Sequence, residues 1–397
     1  MLKKILAGGL AAALTLSLLT GCSAPAADSS SPDSYEAQIP AAAQEDVVSY
    51  LTGGDISCKD NVMTVNGIDV PAGAYFYWLA DTITKQKSYY ESSNDDSFSL
   101  DKPYKDGTYG DYIVQDTQNS LVKLVVTSQQ AQKKGVKLTD EAMKMLNDMA
   151  EKADPKGFLF YSTDLEGQKF LYTHYNYSDA LSASLFEKGG KYYPGKKVLA
   201  DYRKENLLGA KHILVQTTGM SDQEKAKAKE TIQGYLDKIL ASEDKASTFD
   251  QYMNEKSEDP GLAQKPDGYT FLPGDMVPEF EDAVTALKVG EITPELVESD
   301  YGYHIIMRVE PNPKDVDNET LKQSYQATTF TGLVDQWVKT AKVTVSDDLK
   351  NLDLNSFYNK LTSLQSTINA ISKAEAEKQA SASSNISPDD GEPAAAS

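Results

Sequence analysis

Two of the three histidines in this chain of 397 residues stand at matched places. His212 lies in Gly209-Ala210-Lys211-His212-Ile213-Leu214-Val215, and His304 in Ser299-Asp300-Tyr301-Gly302-Tyr303-His304-Ile305-Ile306. Between them lie Ser257-Glu258-Asp259-Pro260-Gly261 and Phe271-Leu272-Pro273-Gly274-Asp275-Met276-Val277-Pro278-Glu279-Phe280. Imidazole, carboxylate and hydroxyl groups can orient hydrogen bonds on a reacting group. Met276 and Phe280, four apart, can share one face of a helix. Each residue also has a plainer reading. A Met and a Phe at that spacing usually belong to a core, and a lone His on an apolar strand is usually a hydrogen-bonded structural residue. Other chemistries lack their parts: there is no Gly-rich phosphate loop, no HExxH, no CxxC and no GxSxG. His174, in Tyr172-Thr173-His174-Tyr175-Asn176-Tyr177, has no ligand partner at helical spacing and reads as a surface or lobe-packing residue.

The elements that must position these residues read as β-α-α-α-β-β, an α+β domain with a small antiparallel sheet. Leu208 to Val215 is the first strand. Ser221 caps a helix through about Leu240, with Ile232, Tyr235, Leu236, Ile239 and Leu240 on one side. Phe249 to Lys256 is a second helix, and Val277 to Leu287 a third carrying Phe280, Ala283 and Val284. A strand follows around Leu296 to Glu298. Tyr303 to Val309, apolar except at His304 and Arg308, reads as a strand buried on both faces.

In order and spacing this set resembles the parvulin family of peptidyl-prolyl cis/trans isomerases. The resemblance implies that Met276 and Phe280 form an apolar cup for a proline ring, with Leu214, Phe271 and Tyr269 adding to the substrate-binding surface. It makes His212, Asp259, His304 and Ser299 the catalytic set. The His pair would lie at the floor, Asp259 near the substrate carbonyl, and Ser299 in the same hydrogen-bond cluster. Asp259, Met276 and Phe280 rank above the His pair for direct contact. No metal and no cofactor is implied. The reaction breaks no bond: rotation about X-Pro crosses a barrier of roughly 18–20 kcal/mol, and a catalyst must bind the twisted amide better than either planar form.

The sequence also departs from the family. Many relatives carry Gly-Gly-x-Leu-Gly before the aromatic that matches Phe271. Here the run is Lys265-Pro266-Asp267-Gly268-Tyr269-Thr270-Phe271, so Gly268 takes the place of a cup Leu and Tyr269 can compensate. The loop Gln216-Thr217-Thr218-Gly219-Met220 has no Arg or Lys, which argues against selection of phosphorylated substrates.

The rest of the chain says where such chemistry would occur. Lys3, Lys4 and the apolar run Leu10 to Leu19 read as an export signal, and Leu19-Thr20-Gly21-Cys22 as a lipobox. The signal would end at residue 21, with Cys22 lipidated by acyl chains such as palmitate. That would hold the protein on the outer face of the cell membrane. The alternative is an ordinary secretory signal with a stray Cys. A formal charge of −20 argues against nucleic acid. With Cys22 lipidated, Cys58 is alone, so there is no disulfide framework and no Cys-based metal site. Cys58 reads as a spectator in a flexible or partly buried position.

Residues 22–46 read as a disordered tether and 373–397, with Pro388-Asp389-Asp390-Gly391-Glu392, as a disordered tail. Residues 47–204 read as an N-terminal helical segment. It carries a hairpin at Asn66-Gly67 and helices over Ala74 to Tyr90 and Tyr112 to Lys134, with another begun by Thr139. The isomerase-like domain spans 205–311. Residues 312–372, with the stripe Tyr325, Phe330, Leu333, Val334, Trp337 and Val338, read as a helical segment packing on the N-terminal lobe. The arrangement, and the run Ala131 to Glu141, resemble the PrsA-type extracytoplasmic foldases of the SurA-like chaperone family. The resemblance implies unfolded, newly secreted clients with X-Pro bonds, a Gram-positive bacterium, and a second copy as a possible partner. The alternative function is a holdase chaperone with a weak or inactive parvulin domain.

Overall fold

A computed structural model describes residues 38–92 and 98–384. The expected signal, the lipobox at Cys22, most of the tether and the tail beyond Ser384 lie outside the described residues. Among the described residues, no helix is long and apolar enough to cross a membrane. These residues form two compact units, 38–181 with 337–384 and 182–336, and the divisions fall within two helices.

The chain enters through α1 (Ala41–Glu45) and α2 (Val47–Thr52), the second capped by the Asp46 carboxylate, which accepts the Ser49 amide. β1 (Asn61–Val65) and β2 (Ile68–Pro71) form the hairpin that Asn66-Gly67 predicts. Next come α3 (Ala72–Ser92), the short hairpin of β3 (Pro103–Tyr104) and β4 (Gly107–Thr108), and α4 (Tyr109–Lys133). Thr139 accepts the Ala142 amide and so begins α5 (Asp140–Asp148). α6 (Pro155–Phe160) and α7 (Leu165–Phe186) follow.

In residues 182–336, α8 (Lys196–Asn206) leads to β5 (Leu208–Gln216). α9 (Asp222–Ala241) starts at a capping box of Ser221 and Glu224 and is followed by α10 (Lys245–Lys256). β6 (Tyr269–Phe271), α11 (Pro278–Ala286), β7 (Val297–Ser299) and β8 (Gly302–Val309) complete an antiparallel sheet in the order β6-β5-β8-β7. One face packs Ile213, Val215, Tyr303, Ile305 and Met307 against Ile232, Leu236, Phe249 and Met253. The other packs Leu208, Ala210 and Ile306 against Phe271, Phe280 and Val284. Both faces of β8 are covered, as its apolar run, interrupted by His304 and Arg308, predicts.

α12 (Asn318–Val338) leaves this unit, and β9 (Val343–Val345) pairs antiparallel with β1. α13 (Asp347–Lys350) precedes α14 (Leu354–Ser384). Phe357, Leu361, Leu364, Ile368 and Ile371 of α14 share a buried core with Phe76, Leu79, Ile83 and Leu121. At roughly 2 kcal/mol for each buried large side chain, that stripe is a main support of the unit. The isomerase-like segment is thus inserted between two parts of one helical unit.

Several expectations change. The order is β-α-α-β-α-β-β, because the three-residue β6 is too short to show alternation. The C-terminal segment is divided. Val316 and Leu321 pack with Tyr202, Leu207 and Leu272, whereas Trp337 and Val338 pack with the N-terminal core. A helical stripe shows that a face is buried but not against what. α1 falls inside the expected tether. α14 runs past residue 372 to Ser384, through an Ala-, Glu-, Lys- and Gln-rich stretch of high helix propensity. Cys58, expected in a flexible or partly buried position, is buried, and burial pushes its thiol pKa up. Of the two expected places for His174, the structure shows lobe packing: it is buried against Phe170, with ring centroids 4.3 Å apart.

Candidate active site

Strand register places the two histidines. Leu214 pairs with His304 and His212 with Ile306, so the histidines are diagonal neighbours on one face of the β5–β8 ladder. Their rings lie 5.3 Å apart at an interplanar angle of 21°, with Nδ1 to Nδ1 at 3.1 Å. Leu214, buried two residues beyond His212, anchors the segment that carries Asp259. Its amide donates to Ser257 Oγ at 3.1 Å and its carbonyl accepts the Glu258 amide at 2.8 Å.

The four polar residues of the expected set form one chain of hydrogen bonds. Asp259 Oδ2 lies 3.1 Å from His212 Nε2, and Ser299 Oγ lies 2.7 Å from His304 Nε2. Ser299 Oγ also accepts the Tyr301 amide at 3.2 Å. With both rings neutral, one proton pattern satisfies every contact. His212 donates from Nε2 to the carboxylate and accepts at Nδ1 from His304. His304 then accepts the Ser299 hydroxyl proton at Nε2. The Tyr269 hydroxyl donates to Asp259 Oδ2 at 2.7 Å, and the Gly261 amide to Oδ1 at 3.0 Å.

The surroundings set the charges. Burial alone would raise the Asp259 carboxyl, but hydrogen bonds from His212, Tyr269 and the Gly261 amide outweigh it and hold the pKa at about 2. Burial pushes His304 down to about 4, with His212 beside it adding to the shift, so its imidazole is neutral. Burial and the Asp259 carboxylate push the Tyr269 phenol well above its usual range.

An apolar wall adjoins this chain. Phe280 stands nearly perpendicular to His212 and His304, with ring centroids 5.2 Å and 5.8 Å away, and Phe271 lies 6.0 Å from Phe280. Phe280 is 4% exposed, whereas Met276 and Tyr269 are half-buried at the rim. Glu281 shapes the loop before α11: its Oε1 accepts the Gly274 amide at 2.8 Å and the Met276 amide at 3.0 Å. Such a site can hold an apolar ring beside a fixed carboxylate and a directed hydrogen-bond chain.

Comparison with known proteins bears on the same residues. The family model for the rotamase, or PPIC-type PPIase, domain matches residues 212–310. This segment is a parvulin-type domain. The foldase protein PrsA of Geobacillus kaustophilus is 33% identical, over 40% of this chain and 64% of its own length. The chaperone SurA of Nitrosospira multiformis is 34% identical, over 29% of this chain and 24% of its own. The solved structure of peptidylprolyl isomerase PrsA from Bacillus anthracis aligns over 59% of this chain and 96% of its own, at 20% identity and a TM-score of 0.30. The chain thus spans a little under two thirds of the first of these relatives and about a quarter of the second.

Of the expected site residues, His212, Asp259, His304, Ser299 and Tyr269 lie in this one cluster and Phe271, Phe280 and Met276 on its wall, whereas Leu214 supports it through its backbone. Tyr269, expected as a residue of the cup, reaches Asp259 with its hydroxyl. Sequence reasoning missed Ser257, Gly261 and Glu281. Ser257 precedes Asp259 by two residues, a spacing that suits a local turn. Glu281 stands in the first turn of a helix, where an acidic residue already has a local reason to be.

Proposed function

We propose that this protein is a peptidyl-prolyl cis/trans isomerase and foldase for exported polypeptides. The observation that carries the reading is the continuous chain Asp259–His212–His304–Ser299 set edge-on against Phe280. A proline ring held at Met276 and Phe280 brings the preceding amide beside an ionised, largely desolvated carboxylate. A planar amide carries negative charge on its carbonyl oxygen and is disfavoured there, whereas the twisted amide carries less. Positioning and electrostatics thus lower the barrier without bond making.

The test is NMR exchange or protease-coupled isomerisation of short X-Pro peptides by the chain lacking residues 1–22, beside Asp259→Ala and Met276→Ala variants of confirmed fold. Acceleration that both variants lose supports the reading, and an inactive unmutated chain refutes it. Phe280→Ala is a poor probe, because removing a buried Phe costs about 3–5 kcal/mol of stability. Gly268, in place of a cup side chain, favours a second reading as a holdase. In that case Met276→Ala leaves suppression of client aggregation intact while any isomerase activity falls.

The lipobox at Cys22 supports attachment to the outer membrane face by acyl chains, which concentrates the protein where exported clients emerge. Incorporation of a palmitate analogue that Cys22→Ser does not abolish would refute lipidation at this residue.

A further inference from the structure

We infer that Tyr269 is a positioning residue of the isomerase site, holding Asp259 and aiming His212 rather than lining the cup. The inference rests on the isomerase reading above. β6 pairs with β5 so that Tyr269 lies opposite Ala210, two residues from His212 on the same face. The small Ala210 side chain leaves room for the phenol ring, which meets His212 edge-on at 5.7 Å and 68°. The hydroxyl then reaches Asp259 Oδ2 at 2.7 Å, closer than His212 Nε2 at 3.1 Å. Tyr269 therefore touches both members of the carboxylate–imidazole pair. An O–H···O⁻ bond of this length is of the charge-assisted, stronger class.

Two glycines make the contact possible. A Cβ at Gly261 would stand 2.0 Å from the Tyr269 hydroxyl oxygen and 3.2 Å from Cζ. Gly268, with φ +96°, lets the chain approach β5 where a Cβ would stand 2.6 Å from the Ala210 carbonyl oxygen. Loss of the cup side chain at Gly268 and gain of the phenol at Tyr269 are thus parts of one local arrangement. Asp259 Oδ2 already accepts two donors and Oδ1 a third, so the carboxylate acts as a fixed charge with its main acceptor positions taken.

The experiment compares Tyr269→Phe, Gly261→Ala and the double variant in the full chain in detergent solution. It reads kcat and KM on X-Pro peptides and titrates the Asp259 carboxyl by carbon NMR, assigned with Asp259→Asn. Tyr269→Phe should lower kcat about tenfold, the loss expected for one hydrogen bond to a charged group, with KM unchanged. Its Asp259 titration should move up from about 2 towards 3.8. Gly261→Ala, which displaces the hydroxyl, should act similarly, and the double variant should be no worse than Tyr269→Phe alone. A raised KM with unchanged kcat makes Tyr269 a wall of the cup and overturns the inference, as does an unmoved Asp259 titration in Tyr269→Phe. If the unmutated chain has no isomerase activity, the functional reading fails by itself. The titration then decides: an upward shift upholds Tyr269 as the positioner of Asp259, and no shift overturns it. Should Tyr269→Phe fail to fold, Gly261→Ala carries the same two readouts.

Discussion

At the scale of single residues, the site is a set of mutual obligations. His304 is buried, and its Nε2 has Ser299 as hydrogen-bond partner. Ser299→Ala leaves that acceptor unpaired, so the variant should lose about 1–3 kcal/mol of stability, read as a lower urea midpoint at unchanged slope. Asp259 answers to pH in a more acid window than the buried His304. Its folded pKa of about 2 lies below the ordinary 3.8, so the unfolded chain takes up the proton first. The stability it contributes is present above 3.8 and is lost as pH falls towards 2. Asp259→Asn should be less stable than the unmutated chain at neutral pH, and the difference should shrink through that window in chemical denaturation.

At the scale of elements, β6 is the weak point of the sheet. It has three residues, pairs among the described residues with β5 alone, and begins after Gly268 at φ +96°. Gly268→Ala combines a strained backbone with a Cβ 2.6 Å from a backbone oxygen. It should cost more than about 1–2 kcal/mol. Hydrogen exchange should show β6 amides losing protection while β8 keeps its own. The result to the contrary, uniform loss across the sheet, would show that β6 is not a separate opening unit. The turn before β6 also explains why the cup could not be judged from residue types alone: Gly268 reads as a missing side chain until the strand pairing shows what it admits.

For the whole molecule, the division into units makes two further predictions. Ending the chain at residue 336 removes β9 and the buried stripe Phe357, Leu361, Leu364, Ile368 and Ile371. Residues 38–181 should then lose cooperative folding, while 182–336 keeps its sheet, as limited proteolysis or NMR dispersion would report. Each unit also holds one buried histidine with pKa pushed down from 6.5 to about 4 by burial, His174 in one and His304 in the other. The unfolded chain therefore binds these protons first as pH drops, and each group lowers stability between 6.5 and 4. His174→Phe should flatten the pH dependence of the melting temperature in that window; an unchanged dependence would remove His174 as a cause.

The sequence by itself determined the isomerase-like elements other than β6, most helix starts, and which widely spaced residues belong to the candidate site, Ser257, Gly261 and Glu281 excepted. Capping residues, alternation and helical periodicity are local, and a motif spread from His212 to His304 is legible as order and spacing. Only the tertiary structure decided what those residues do to one another. Register made His212 and His304 diagonal neighbours, and the unpredicted β6 carried the Tyr269 hydroxyl to Asp259. It likewise divided the C-terminal segment between Leu321, which packs with Leu272, and Phe357, which packs with Phe76. An apolar stripe encodes that a face is buried. Its partner depends on which chain segments, far apart in sequence, fill the remaining space, and that is a property of packing rather than of pattern.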